Sequence, residues 1–245
     1  MVGTDRAVIW DMDGTLVDTA ELHFQAWSAL AKELGRSFTR ADFAATFGWR
    51  NPEIIPKLWG SGFTPEQIAA LGGRKEELYR AAAVAQGVEL LPGARVLLEG
   101  LHRAGLKQAI GSSAPRANLD LILRLTHTTP FFAAVVSMED TQRGKPDPEV
   151  FLAAAGKLAV PPRRCLVMED APAGVQAAKV GGMKCIAVNF VGHHSEKALR
   201  GAGADLVVPT LEQLSVETVC RILEEDDQDE HAARSLELQS RRPSP

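Results

Sequence analysis

Val8-Ile9-Trp10-Asp11-Met12-Asp13-Gly14-Thr15-Leu16-Val17-Asp18-Thr19 carries an apolar run into a glycine turn and sets two carboxylates, two residues apart, at the junction. In an extended chain residues i and i+2 point to the same side, so Asp11 and Asp13 share one small volume at the carboxyl end of a strand. Open α/β sheets bind their ligands at that end. An Asp-x-Asp pair alone is also common on solvated loops, so its meaning depends on the rest of the chain.

The rest of the chain reads as a parallel sheet. Short apolar runs at 7–10, 106–111, 133–137, 165–168, 185–188 and 205–208 alternate with helical patterns. Such runs separated by helices indicate parallel strands buried on both faces, and hence an α/β fold with a doubly wound parallel sheet. About ninety residues between the first two runs lack a strand signal, too many for a simple connection, so they form a separate helical unit. Within it Leu22, Trp27, Leu30, Ala31 and Leu34 recur at near-helical spacing before Gly35. Thr64-Pro65-Glu66-Gln67 reads as a capping box with proline in the first turn. Gly72-Gly73 is expected to break the helix that follows, and Pro56 to limit an earlier one. From residue 224 an acidic block, Glu224-Glu225-Asp226-Asp227, opens a polar tail to residue 245 that is expected to be solvated and disordered.

With 245 residues, 45% of them hydrophobic, the chain can fill one sizeable α/β core plus an insertion. A formal net charge of -4 gives no general basic field for nucleic acid or an anionic membrane, so an anion must be captured locally. No apolar run approaches the roughly eighteen residues of a membrane span, and Met1-Val2-Gly3-Thr4-Asp5-Arg6 lacks the basic-then-apolar order of a secretion signal. A cytoplasmic location is therefore expected. Cys165, Cys185 and Cys220 match no zinc spacing and read as reduced core thiols.

Three further segments follow the first in order: Ile110-Gly111-Ser112-Ser113, Gly144-Lys145-Pro146-Asp147-Pro148 and Met168-Glu169-Asp170-Ala171-Pro172-Ala173-Gly174. Taken singly, Lys145 is a surface lysine, Ser112-Ser113 a helix N-cap, and Glu169-Asp170 a cap of the next helix. As an ordered set with Asp11-x-Asp13-Gly14-Thr15, they resemble the haloacid dehalogenase-like (HAD) superfamily of aspartyl-phosphate enzymes. Within it the likeness is to the β-phosphoglucomutase-like group of phosphatases and sugar-phosphate mutases.

The resemblance implies a core of residues 1–17 and 91–223 and an α-helical cap of residues 18–90 that closes over the site on two linkers. It implies Mg2+ held by Asp11, Asp170, the backbone carbonyl of Asp13 and, directly or from behind, Glu169. Carboxylates and water are the hard oxygen ligands this ion prefers. Asp11 would be the nucleophile and Asp13 the acid and base, which asks for a raised pKa on Asp13 while Asp11 stays ionised. Lys145 would neutralise phosphoryl charge, and Ser112 would donate to phosphoryl oxygens. An aspartate at position 13 disfavours the dehalogenase and phosphonate-cleaving branches, whose residue there differs.

His23, Trp27 and Lys75 fall at the group's substrate-facing cap positions, although each can equally be structural. Ser113 and Arg116 are placed as substrate contacts after the second strand. Asn51 stands where the mutase's cap loop supplies an arginine, with Arg50 and Arg74 as possible substitutes. Ala114-Pro115-Arg116 replaces a polar run. A mutase must grip a second phosphate, whereas a phosphatase needs only one anion site. The expected activity is thus a Mg2+-dependent phosphatase on a small phosphorylated sugar or polyol, with a β-phosphoglucomutase as its rival and a monomer as the default state. A receiver-like phosphoaspartate switch is disfavoured by the large insertion and by a nucleophile on the first strand.

Overall fold

A computed structural model describes residues 5–46 and 49–224. Every apolar run becomes a strand: β1 (Ala7–Trp10), β2 (Lys107–Gly111), β3 (Ala134–Val136), β4 (Cys165–Glu169), β5 (Lys184–Val188) and β6 (Leu206–Val208). Among the described residues they form one sheet in the order β3-β2-β1-β4-β5-β6, with every pair parallel. The chain winds outward from β1 through β2 to β3, then crosses back to place β4 on the other side of β1. That reversal opens a crevice beyond the tips of β1 and β4, where such sheets hold ligands.

Between β1 and β2 lie α1 (Ala20–Glu33), α2 (Arg40–Thr46), α3 (Asn51–Trp59) and α4 (Pro65–Gln86). The capping box forms as the sequence predicts: Thr64 Oγ1 accepts from the Gln67 amide, and the Gln67 side chain accepts from the Thr64 amide at 2.9 Å. Two expectations fail here. Gly72-Gly73 does not break α4, which runs unbroken through both residues. A helical glycine costs only about 1 kcal/mol, and a Cβ at Gly72 would sit 3.2 Å from the Asn51 side chain, so the small residue lets α3 approach. Pro56 does not limit α3 either; it lies inside it, and the neighbouring Ile54 and Ile55 are buried in a cluster with Trp27 and Leu30 that secures the helix. The two linkers run side by side, joined by a bridge between Val17 and Leu90 and by a 2.8 Å bond from the Leu91 amide to the Leu16 carbonyl.

The remaining helices, α5 (Ala94–Arg103), α6 (Arg116–Leu125), α7 (Glu149–Leu158), α8 (Pro172–Val180) and α9 (Glu196–Gly201), cover the sheet. The two-residue period of the strands sorts their side chains cleanly. Val8, Trp10, Leu166 and Met168 pack with α5 and α6, while Ala7, Ile9, Cys165 and Val167 pack with α7 and α8. Leu22, Ala26, Tyr79 and Ala83 of the cap join the first of these clusters, so α1 and α4 rest on the core. The three cysteines are free; Cys165 and Cys185 are buried and Cys220 only partly so. No helix among the described residues is long and apolar enough to cross a membrane. The tail expected to be disordered lies outside the described residues except for Glu224, whose carboxylate pairs with Arg6 at 2.7 Å.

Candidate active site

Backbone bonds between strand tips fix the centre of the site. The Asp11 amide donates to the Met168 carbonyl at 2.9 Å, and the Ser112 amide donates to the Val136 carbonyl at 3.1 Å. Asp11, Ser112 and Asp170 thereby emerge side by side at the carboxyl edge. Lys145 arrives differently. It belongs to a loop between β3 and α7 that is clamped by Glu149, whose carboxylate accepts from the amides of Gln142 and Arg143, each at 3.0 Å. The lysine then passes over the Phe151 ring, with Nζ 4.8 Å from its centroid.

Lys145 Nζ lies 2.8 Å from Asp11 Oδ1 and 2.6 Å from Glu169 Oε1. The second Glu169 oxygen accepts from the amides of Asp170 and Ala171, both at 2.7 Å. Glu169 is therefore engaged on both oxygens, which suits an orienting role behind the front carboxylates. Two glycines make the crowding feasible. A Cβ on Gly174, in the first turn of α8, would fall 1.7 Å from Glu169 Oε1, and one on Gly14, at φ +83°, would fall 2.1 Å from Asp170 Oδ2.

Carboxylate oxygens of Asp11, Glu169 and Asp170 lie within 4.8 Å of one another, and all three residues are buried. Asp11 Oδ1 is also buried with no donor aligned on it, the nearby Lys145 making an ion pair rather than a directed hydrogen bond. Burial pushes the Asp11 carboxyl up to about 7, with Lys145 opposing and Glu169 adding to the shift. Burial, then the charges of Glu169 and Asp11, raises Asp170 well above the usual carboxylate range. Burial also opposes the charge on Lys145, but Asp11 and Glu169 outweigh it and hold the ammonium above the ordinary lysine range. Three converging buried carboxylates against a single ammonium make a donor set that fits a hard divalent cation.

Asp13 departs from expectation. Burial opposes its ionisation, but contacts from His23, at 3.6 Å, and from the Thr19 hydroxyl, which donates to Oδ1, overcome burial and hold its pKa below the usual value. Among the protein's own groups Asp11 resists ionisation and Asp13 favours it, and a bound divalent cation would favour the ionised form of Asp11. The physical reason is that Asp11 faces two other carboxylates whereas Asp13 faces the cap's imidazole and hydroxyl.

A cavity of about 720 Å³ opens between this edge and the cap. His23, Trp27, Asn51 and Lys75 line it from the cap, and Ser112 and Ser113 line it from the core. His23 stacks on Tyr79 with ring centroids 4.2 Å apart, and its Nδ1 is 2.8 Å from Lys75 Nζ. Trp27 is wall and core at once, since it also packs among Leu30, Ile54 and Ile55. Asn51 lines the cavity but spends its amide on Glu76 at 2.8 Å. Arg116 does not reach the cavity: its guanidinium pairs with Asp120 at 2.8 Å, one turn along the exposed face of α6. Arg74 is likewise turned away, paired with Glu33 and Glu77.

Arg50 is the cap's arginine in the cavity. Its Nη2 donates to Thr141 at 3.3 Å, its Nε is buried without a partner, and a Cβ on Gly144 would approach that Nε to 2.8 Å. Glu76, Trp49, Met138 and His194 also line the cavity. No periodicity or motif marks these four in the sequence, because loop and cap packing bring them there.

The family model for haloacid dehalogenase-like hydrolases matches residues 6–182. Two curated relatives from Arabidopsis thaliana are longer than this chain. It spans 58% of a chloroplastic 5-amino-6-(5-phospho-D-ribitylamino)uracil phosphatase, with 32% identity over 89% of the chain, and 21% of another protein at 34% identity. A β-phosphoglucomutase of Bacillus subtilis is 34% identical, covering 86% of this chain and 92% of that protein. Among solved structures, a β-phosphoglucomutase from Clostridium difficile superposes with a TM-score of 0.78 and 25% identity, over 90% of this chain and 97% of that one. Ordered motifs, a doubly wound sheet and a helical insertion over buried carboxylates agree with these matches, and the chain belongs to the haloacid dehalogenase-like hydrolase family.

Proposed function

We propose that the protein is a Mg2+-dependent phosphatase of a small phosphorylated sugar or polyol, working through an aspartyl-phosphate on Asp11. The observation that carries this reading is the meeting of Asp11, Glu169 and Asp170 around Lys145 at the floor of a cavity roofed by the cap. Approach of a carboxylate to a phosphate ester costs roughly 4 kcal/mol per pair of unit charges at about 4 Å with an effective dielectric near 20. When bound, magnesium would neutralise that charge, held by Asp11 and Asp170 with Glu169 behind them.

An Asp11 oxygen attacks phosphorus and the phosphorus–oxygen bond to the leaving group breaks, with Asp13 in its protonated form giving that oxygen its proton. The ionised Asp13 then takes a proton from water, the water oxygen attacks phosphorus, and the bond to Asp11 breaks to release phosphate. A lowered pKa keeps Asp13 in the ionised form from which the second half starts. Its proton for the first half must come once substrate displaces the contacts with His23 and Thr19. Lys145 holds Asp11 and the transferring oxygens, and Ser112 donates to them.

Arg50 favours a second reading, a sugar phosphomutase, because it puts a cationic side chain on the cap side of the cavity, where a second phosphate would lie. Against it, positions 114 and 115 offer the core side of that site only alanine and proline, and Arg116 points elsewhere. Incubation with β-glucose 1-phosphate, Mg2+ and a trace of the glucose bisphosphate separates the two. Release of inorganic phosphate is expected, and accumulation of glucose 6-phosphate instead would establish the mutase. A single stoichiometric phosphorylation without turnover would overturn both in favour of a phosphoaspartate switch.

A further inference from the structure

A buried polar cluster beside the cavity joins α3 and α4 of the cap to core helix α6. Glu76, in α4, has both carboxylate oxygens occupied. Oε1 accepts from Asn51 in α3 at 2.8 Å and from Lys75 at 2.9 Å, while Oε2 accepts from Asn118 in core helix α6 at 2.6 Å. Asn118 completes its amide by accepting at Oδ1 from Arg80, one turn further along α4, at 2.9 Å. Glu76, Lys75 and Asn118 are all nearly excluded from solvent. Lys75 in turn reaches His23, which faces Asp13. Among the described residues, polar bonds join the cap to the core at Asp13 with Thr19 and His23, at Thr141 with Arg50, and at Asn118 with Glu76 and Arg80.

We propose that Glu76 is a positioning residue, which anchored by Asn118 of the core fixes Lys75 and Asn51 on the cap wall and so sets the geometry in which a sugar phosphate is gripped. The inference rests on the phosphoryl-transfer reading of the cavity. Its physical basis is that three donors from three helices converge on one desolvated carboxylate. Each such bond is strong where water is excluded, and a donor removed from it leaves buried charge uncompensated. A leaving group without the sugar's hydroxyls makes no hydrogen bonds to Lys75 or Asn51 and so depends far less on this geometry.

The test moves the cluster's carboxylate from one partner to the other in two steps. Asn118→Asp sets a carboxylate against Glu76, and adding Glu76→Gln to that variant lets the new amide donate to the carboxylate introduced at position 118, with the cluster's net charge unchanged. Consumption of β-glucose 1-phosphate is compared with hydrolysis of p-nitrophenyl phosphate, alongside hydrogen exchange of the α4 amides. Asn118→Asp is expected to lower kcat/KM for the sugar phosphate at least tenfold, chiefly through KM, with p-nitrophenyl phosphate changed less than twofold. The double variant should recover most of the loss. Parallel losses on both substrates, or no recovery in the double variant, would overturn the proposal. If the unaltered protein turns over neither ester, the catalytic reading fails, and exchange in α4 still decides whether Asn118 anchors Glu76: faster in Asn118→Asp and restored in the double variant supports it, and unchanged exchange rejects it.

Discussion

The two walls of the cavity are held by different bonds. On the core wall, backbone groups fix the chemistry: strand-to-strand amides set Asp11 and Ser112, and amides of residues 170 and 171 grip Glu169. On the cap wall, side chain holds side chain, from Asn51 and Lys75 through Glu76 to Asn118, and from Lys75 to His23. Backbone placement tolerates little change without loss of the sheet, whereas a side-chain network can be rebuilt by a few substitutions. A family that keeps one reaction and varies its substrates is served by this division, with chemistry on the rigid elements and selection on the wall that can be recast.

The comparison predicts that damage to the core wall lowers rate and damage to the cap wall lowers affinity. Asp11→Asn is the hardest test. It preserves shape and removes the nucleophile, so kcat on p-nitrophenyl phosphate should fall at least about a thousandfold while the circular dichroism spectrum is unchanged. Retention of more than a tenth of the activity would remove Asp11 from the mechanism. Gly174→Ala should come next. Its Cβ would occupy the place of Glu169 Oε1, forcing that carboxylate off Lys145. Overpacking of this kind costs about 1–3 kcal/mol of stability, and disturbing a residue behind the ligands weakens metal binding about ten- to hundredfold. Thermal unfolding and a Mg2+ titration of activity measure the two effects separately.

The same division explains what could be read in advance. The strands were legible because residues buried on both faces must be apolar, and all six runs became strands. Asp11, Ser112 and Asp170 were legible because their ordered motifs resemble a known family, and a parallel sheet then delivers those strand tips to one edge. Gly72-Gly73 and Pro56 misled because local propensity yields about 1 kcal/mol per glycine to tertiary packing, here the seating of α3 against α4 and of Ile54 and Ile55 beneath Trp27 and Leu30. The pKa ordering of the two aspartates was beyond local reading, since it depends on which distant groups face each one. On the cap, position along the chain left Asn51, Arg50 and Arg74 as alternatives, and only side-chain packing distinguishes them. Asn51 and Arg50 both line the cavity, with the Asn51 amide bonded to Glu76 and an Arg50 guanidinium nitrogen bonded to Thr141.

Arg50 gives the third prediction. Arg50→Ala removes a cation from the cap wall and should raise KM for β-glucose 1-phosphate about tenfold or more, the scale of one charge-assisted hydrogen bond at about 1.5–3 kcal/mol. Its effect on kcat should be smaller than that of any change to Asp11 or Gly174. A drop in kcat with KM unchanged would place Arg50 with the reacting phosphoryl group and blur the division between the walls.

Arg116→Ala should do the least, and that is its value. Sequence position places Arg116 just after the second strand, where a substrate contact is expected, but its guanidinium lies along the outer face of α6 against Asp120, with both side chains about half exposed. Exposed pairs four residues apart on a helix contribute about 0.3–0.5 kcal/mol, so the melting temperature should move by a degree or two and KM by less than twofold. The backbone amide of Arg116 still donates to Glu139 at 2.9 Å, and the substitution leaves that bond intact. A tenfold rise in KM would mean that Arg116 swings from Asp120 into the cavity when substrate arrives, giving the core wall a second anion contact and moving the balance from water as acceptor towards a sugar hydroxyl.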